Sequence, residues 1–140
     1  MFKRIVDGFY VAGQLRHEDF AAAAAEGVRT VINNRPDGEA PGQLSHAEAQ
    51  AAAQAHGLAY HYLPVISGQL TVETVDAMRA LLDDLEGPVL AYCRSGTRST
   101  FLWAFAEGER RPAEDIVAAA AAAGYDLHGI APQLTAMRRR

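Results

Sequence analysis

An α/β fold, a sheet flanked by helices, is predicted by three features of the sequence. Short β-branched runs alternate with longer segments rich in Ala and Leu, which is the pattern of strands separated by crossover helices. Those longer segments run out at Gly27, Gly57, Gly87 and Gly124, residues suited to the left-handed conformation on which helices often end. Two of them open on capping signals, Ser45 with Glu48 in capping-box spacing and Thr71 ahead of its own segment.

Taken in order, strands are expected at 4–6 and 9–12, followed by a helix at 17–26 that Gly27 closes. The apolar strand 30–33 runs directly into RPDGEAPG, whose Pro and Gly density marks a loop. A helix at 45–56, a strand at 59–63, a helix at 71–85 and a strand at 89–92 come next. After a polar loop at 93–98 the remaining segments read as helices at 99–107, 113–123 and 132–138. Pro112 suits the first turn of its helix. The alanine run 118–123 packs closely as part of a helix, because Glu114 and Asp115 stand at the start and Gly124 at the end. Tyr60, His61, Tyr62 and Trp103 are assigned to the packed interior.

The chain has 140 residues, of which 49% are apolar, enough for one sizeable core and short of two. A single domain over 1–140 is therefore expected. The formal charge is −4, and the only dense basic run is Arg138, Arg139 and Arg140 at the end, so nucleic acid is excluded as a partner. No apolar run approaches the roughly 20 residues that a membrane span requires. Met1-Phe2-Lys3-Arg4 leads into charged, strand-like sequence, so a soluble, cytoplasmic protein without a membrane partner is expected. The lone cysteine, Cys93, rules out Cys-x-x-Cys chemistry within one chain, and His17, His46, His56, His61 and His128 form no helical ligand pair. No metal and no organic cofactor is expected.

Chemistry concentrates in PVLAYCRSGTRSTFLWAF, a buried strand, a tight polar loop and a helix. The N–H groups of Arg94, Ser95, Gly96, Thr97 and Arg98 can curl inward there, and the helix that follows adds its unpaired N-terminal donors. Gly96 relaxes the backbone restriction of such a curl. A cysteine at the mouth of this ring has its thiolate stabilised by the same donors and by Arg98. Ser99 could donate its hydroxyl hydrogen to the sulfur, and Arg98 could hold an anionic substrate in bidentate fashion. Asn34 and Arg35 end the neighbouring strand, where they either bind an anionic ligand or supply a hydrogen bond and a surface salt bridge. Asp37 and Glu39 sit in the loop behind them, which an α/β sheet gathers at its strand C-terminal ends.

The segment from Cys93 to Ser99 resembles the active loop of rhodanese-type sulfurtransferases. It also resembles that of protein tyrosine and dual-specificity phosphatases, which carry one residue more between the cysteine and the arginine. With FYVAGQL, GVRTVINNRPDGE, AYHYLPV and AAAAAAGYDL, residues 9–127 resemble the bacterial beta-lactamase-hydrolase-like family. That resemblance implies a compact dual-specificity-phosphatase-like fold with a largely parallel central sheet and helices on both faces. It also implies a domain found alone or fused to a persulfide dioxygenase.

Between sulfur and phosphate chemistry, the sequence favours sulfur. Four residues separate Cys93 from Arg98, a ring suited to one terminal sulfur. The stretch after Pro64 reads Val65-Ile66-Ser67-Gly68-Gln69, without the carboxylate that usually protonates a phosphatase leaving group. Tyr92 also stands where phosphatases often carry a histidine. The reading is a sulfurtransferase that moves sulfane sulfur from thiosulfate or glutathione persulfide, through a Cys93 persulfide, to a thiol or cyanide. The alternatives are a phosphatase acting through phosphocysteine, with Asp37 as a displaced acid, and a non-catalytic anion-binding module.

Overall fold

The computed structural model describes residues 2–139. Five strands, β1 (Lys3–Val6), β2 (Phe9–Ala12), β3 (Thr30–Asn33), β4 (Ala59–Tyr62) and β5 (Val89–Tyr92), form one sheet in the order β1-β2-β5-β3-β4. Only β1 runs antiparallel to its neighbour, through the hairpin at Asp7-Gly8; the pairs β2–β5, β3–β5 and β3–β4 are parallel. The helices are α1 (His17–Ala25), α2 (His46–Ala55), α3 (Val72–Asp84), α4 (Thr97–Ala106), α5 (Ala113–Ala122) and α6 (Ala131–Arg138), with a 3₁₀ turn at His128–Ile130 before the last.

Side chains alternate across a strand, so each strand feeds two cores. On one face Val31, Leu90 and Tyr92 pack with Phe20 and Ala23 of α1 and Ala49 and Ala53 of α2. On the other, Ile32, Val89 and Ala91 meet Met78, Leu102, Trp103, Ile116 and Leu134 from the remaining helices. The central strands β3 and β5 are buried at every position, whereas β4 at the edge is half-covered. Tyr60, His61 and Tyr62 on that edge are accordingly half-buried, while Trp103 is 1% exposed and stacks on Phe9 at 6.0 Å.

The expected α/β layout holds, with two local corrections. Gly27, Gly57 and Gly124 adopt positive φ behind their helices, but Gly87 does not. α3 stops at Asp84 with Leu85 already extended, so Gly87 belongs to the entry into β5. α4 begins at Thr97, two residues before the expected Ser99, because Gly96 at φ +90° turns the chain straight into the first helical residue. Ser45 and Glu48 form the reciprocal capping pair read from the sequence. No helix among the described residues is long and apolar enough to cross a membrane.

Candidate active site

Parallel strands deliver their following loops to one end of the sheet. The segments after β2, β3, β4 and β5 therefore converge. Cys93 leaves β5 with its N–H donated to Ala12 O at 3.3 Å and is 1% exposed. The Gly96 N–H points back at its sulfur at 3.2 Å. That amide belongs to the peptide unit whose other side, Ser95 C=O, accepts the Tyr125 hydroxyl at 2.9 Å. The peptide plane is thus fixed from both sides, and a side chain at position 96 would collide with the Tyr125 hydroxyl. Gln14 N–H donates to Arg94 O at 3.2 Å, and a Cβ on Gly13 would lie 3.0 Å from that same oxygen, so close approach keeps residue 13 small.

Arg94, Ser95 and Thr97 are exposed at the rim, with the two hydroxyls 3.0 Å apart. Arg98 is framed from two other loops. Its Nη1 donates to Glu39 Oε2 at 2.7 Å and to Val65 O at 2.8 Å, and its Nη2 donates to Glu39 Oε1 at 2.8 Å. Arg35 is buried rather than on the surface: Nε donates to Glu39 Oε1 at 2.9 Å and Nη1 to Gln14 Oε1 at 3.0 Å. Two guanidinium groups and one carboxylate give this cluster a net positive charge, and Arg98 is its member that neighbours Cys93. The hydrogen bond from Arg98 is the main cause that holds Glu39 down at about 2, with Arg35 assisting against the cost of burial. Glu39 in turn raises Arg98, and the neighbouring Cys93 adds to that.

Two expected contacts are replaced. Ser99 donates its hydroxyl to Asn34 Oδ1 at 2.8 Å rather than to the sulfur, because the early helix start turns position 99 toward β3. Asn34 spends the rest of its polar groups on the scaffold: Nδ2 on Leu63 O at 2.8 Å, its N–H on Tyr92 O at 2.8 Å and its C=O on Val65 N–H at 2.9 Å. Asp37 directs Oδ1 to the His46 N–H at 2.7 Å, at the start of α2, while its own N–H meets the Tyr62 hydroxyl at 3.1 Å. The carboxylate brought to the loop is that of Glu39. Tyr92, in the position before the cysteine, is fully buried against Phe20 with its hydroxyl unpartnered, and burial raises it well above an ordinary phenol.

Sequence reasoning missed Tyr125, Gln14 and the Val65 carbonyl. No local pattern marks them, since their partners lie in distant loops; the four-residue spacing of Arg35 and Glu39 was the one available hint of a pair.

Residues 1–110 match the phosphatase-like domain family of the beta-lactamase hydrolase-like proteins. A beta-lactamase hydrolase-like protein of Xylella fastidiosa is 39% identical over 129 residues, covering 89% of this chain and 30% of that protein. The chain thus spans under a third of the curated relative. A proposed phosphatase of Neisseria meningitidis superposes with a TM-score of 0.86 at 33% identity, covering 97% of each chain. A proposed dual-specificity phosphatase of mouse has the same fold, with a TM-score of 0.60 at 17% identity over 99% of this chain and 86% of that one. The compact dual-specificity-phosphatase-like architecture is therefore the right one.

These matches overturn the reading as a sulfurtransferase working through a Cys93 persulfide and favour its phosphatase alternative. The four-residue spacing from Cys93 to Arg98 misled because it says nothing of what orients the arginine: Glu39 and Val65, from the loops after β3 and β4, hold its guanidinium. With the match spanning most of its length, the chain belongs to the phosphatase-like domain family of the beta-lactamase hydrolase-like proteins.

Proposed function

We propose that this domain is a phosphomonoester hydrolase with Cys93 as its nucleophile. The observation that carries the reading is the Gly96 N–H aimed at the Cys93 sulfur from 3.2 Å, at the N-terminus of α4. Donors placed this way stabilise both a thiolate and the oxygens of a phosphoryl group. Arg98, held in place by Glu39 and the Val65 carbonyl, supplies the cationic side of the cradle, and exposed Arg94 draws anions toward it.

In the first step the Cys93 thiolate attacks phosphorus and an S–P bond forms. The bond from phosphorus to the leaving oxygen breaks, the electron pair departs with that oxygen, and water supplies its proton. In the second step a water oxygen attacks the phosphocysteine, the S–P bond breaks, and Cys93 leaves as a thiolate while inorganic phosphate departs. Arg98 and the loop amides neutralise the charge on the non-bridging oxygens in both steps. Glu39, ionised and committed to two arginines, serves as an anchor and not as the acid.

Incubation with 4-nitrophenyl phosphate tests the reading. Turnover that vanishes in Cys93→Ser, with a phosphoryl adduct on the rapidly quenched wild-type chain, is the expected result. Turnover that survives in Cys93→Ser, or no turnover of any aryl phosphate, sinks it.

A further inference from the structure

A groove of about 600 Å³ runs beside the candidate site, between α3, α4 and the turn at 65–70. One end is formed by Thr97 and Arg98, residues of the anion-binding loop itself. Beyond them the walls are apolar, made by Val65, Leu70, Val75, Phe101, Phe105 and Met137. Phe105 lies seven positions after Arg98 on α4, so the apolar stretch extends roughly 10 Å from the cation along the helix.

Two further observations bear on what fills it. The exposed large apolar side chains of the described residues are Val72, 73% exposed and itself in the groove wall, and Ile66, 56% exposed and next to wall residue Val65. Apolar surface gathered at a concave site marks a place of contact. Of the charged side chains at the far rim, Arg79 is paired with Asp76 at 3.2 Å and donates to Ala106 O at 3.2 Å, and exposed Glu109, an anion, disfavours a second negative group at that end. A complementary ligand therefore carries its anion at the Arg98 end and an extended, uncharged apolar group beyond it.

We propose that the groove binds the apolar group of the phosphomonoester whose phosphoryl group is held by the loop, an inference that rests on the hydrolase reading above. The preferred substrate is then an amphiphile, and a compact polar phosphate ester is a poor one.

A series of 4-alkylphenyl phosphates, from methyl to pentyl, tests this, because the basicity of the leaving phenol scarcely changes along it. In Cys93→Ser, which holds the esters without turnover, affinity measured by calorimetry is expected to rise about fourfold per added methylene. Val75→Trp, which fills the groove, flattens that rise and leaves the affinity for phenyl phosphate within about twofold, as for a change that spares the anion site. Val72→Ser, at an exposed position that does not endanger folding, lowers the affinity for the pentyl ester alone. Affinity independent of alkyl length overturns the groove assignment, as does a slope unaltered in both groove variants. Length-dependent binding without turnover by the wild type instead overturns the hydrolase reading and leaves the groove assignment standing.

Discussion

Glu39 carries the clearest pH signature in the molecule. Its carboxyl is held at about 2 against an ordinary value of 4.5, so on acidification the unfolded chain takes up this proton before the folded one does. The stability that Glu39 contributes is fully present above about pH 4.5 and is lost as pH falls through about 2. Thermal melting of Glu39→Gln should therefore show a lower midpoint at neutral pH and a shallower decline below pH 4.5 than the wild type. Because Glu39 also fixes both Nη atoms of Arg98, kcat/KM toward aryl phosphates should fall by about a hundredfold in the same variant. Tyr125 acts through the backbone. In Tyr125→Phe the Ser95 carbonyl loses its donor and the peptide plane that aims the Gly96 N–H is released. Stability should drop by only about 1 kcal/mol, whereas alkylation of Cys93 by iodoacetamide at pH 6.5 should slow severalfold. A purely structural tyrosine would move the melting point and leave the alkylation rate where it was.

At the scale of elements, the Asn34 side chain joins the ends of β3 and β4 to the first turn of α4. Ser99→Ala leaves a fully buried Asn34 Oδ1 without its donor, and denaturant unfolding should register a loss of about 1–3 kcal/mol. This junction explains which parts of the structure were legible beforehand. Strands, helix ends and the capping pair at Ser45 and Glu48 follow from local periodicity and local hydrogen bonds, so the sequence suffices for them. The start of α4 was misplaced because Gly96 acts as a helix N-cap with positive φ, without a side-chain acceptor. A turn of that kind leaves no residue signature beyond the glycine itself. Cys93, Gly96 and Arg98 were recognisable as a loop because they are near neighbours in the chain. The Arg98 partner lies 59 residues away in Glu39, and Asp37, two residues from it, turns instead to α2. No spacing rule separates those two carboxylates, since the choice is made by where β3 and α2 pack.

At the scale of the whole molecule, the sheet order puts β5 between β2 and β3, so the Cys93 loop lies at the centre of four converging segments and is braced from each side. None of the residues from Leu63 to Leu70 in the segment after β4 is a carboxylate, and the two carboxylates after β3 are committed, Glu39 to Arg35 and Arg98, Asp37 to the His46 N–H. A hydrolase built this way gives the departing oxygen little help from a proton donor. The rate should then depend steeply on how well that oxygen bears its own charge. General acid catalysis contributes about 10²–10⁴-fold in enzymes that use it, so kcat/KM should fall by about a hundredfold or more from 4-nitrophenyl phosphate to unsubstituted phenyl phosphate. Steady-state rates across a set of substituted phenyl phosphates, plotted against the basicity of each phenol, measure that slope. A flat plot would mean that a donor reaches the leaving oxygen after all. Asp37, released from the His46 N–H, is the nearest candidate by position in the same loop. Asp37→Asn would then steepen the plot, whereas with the present arrangement maintained during turnover it leaves the slope unchanged.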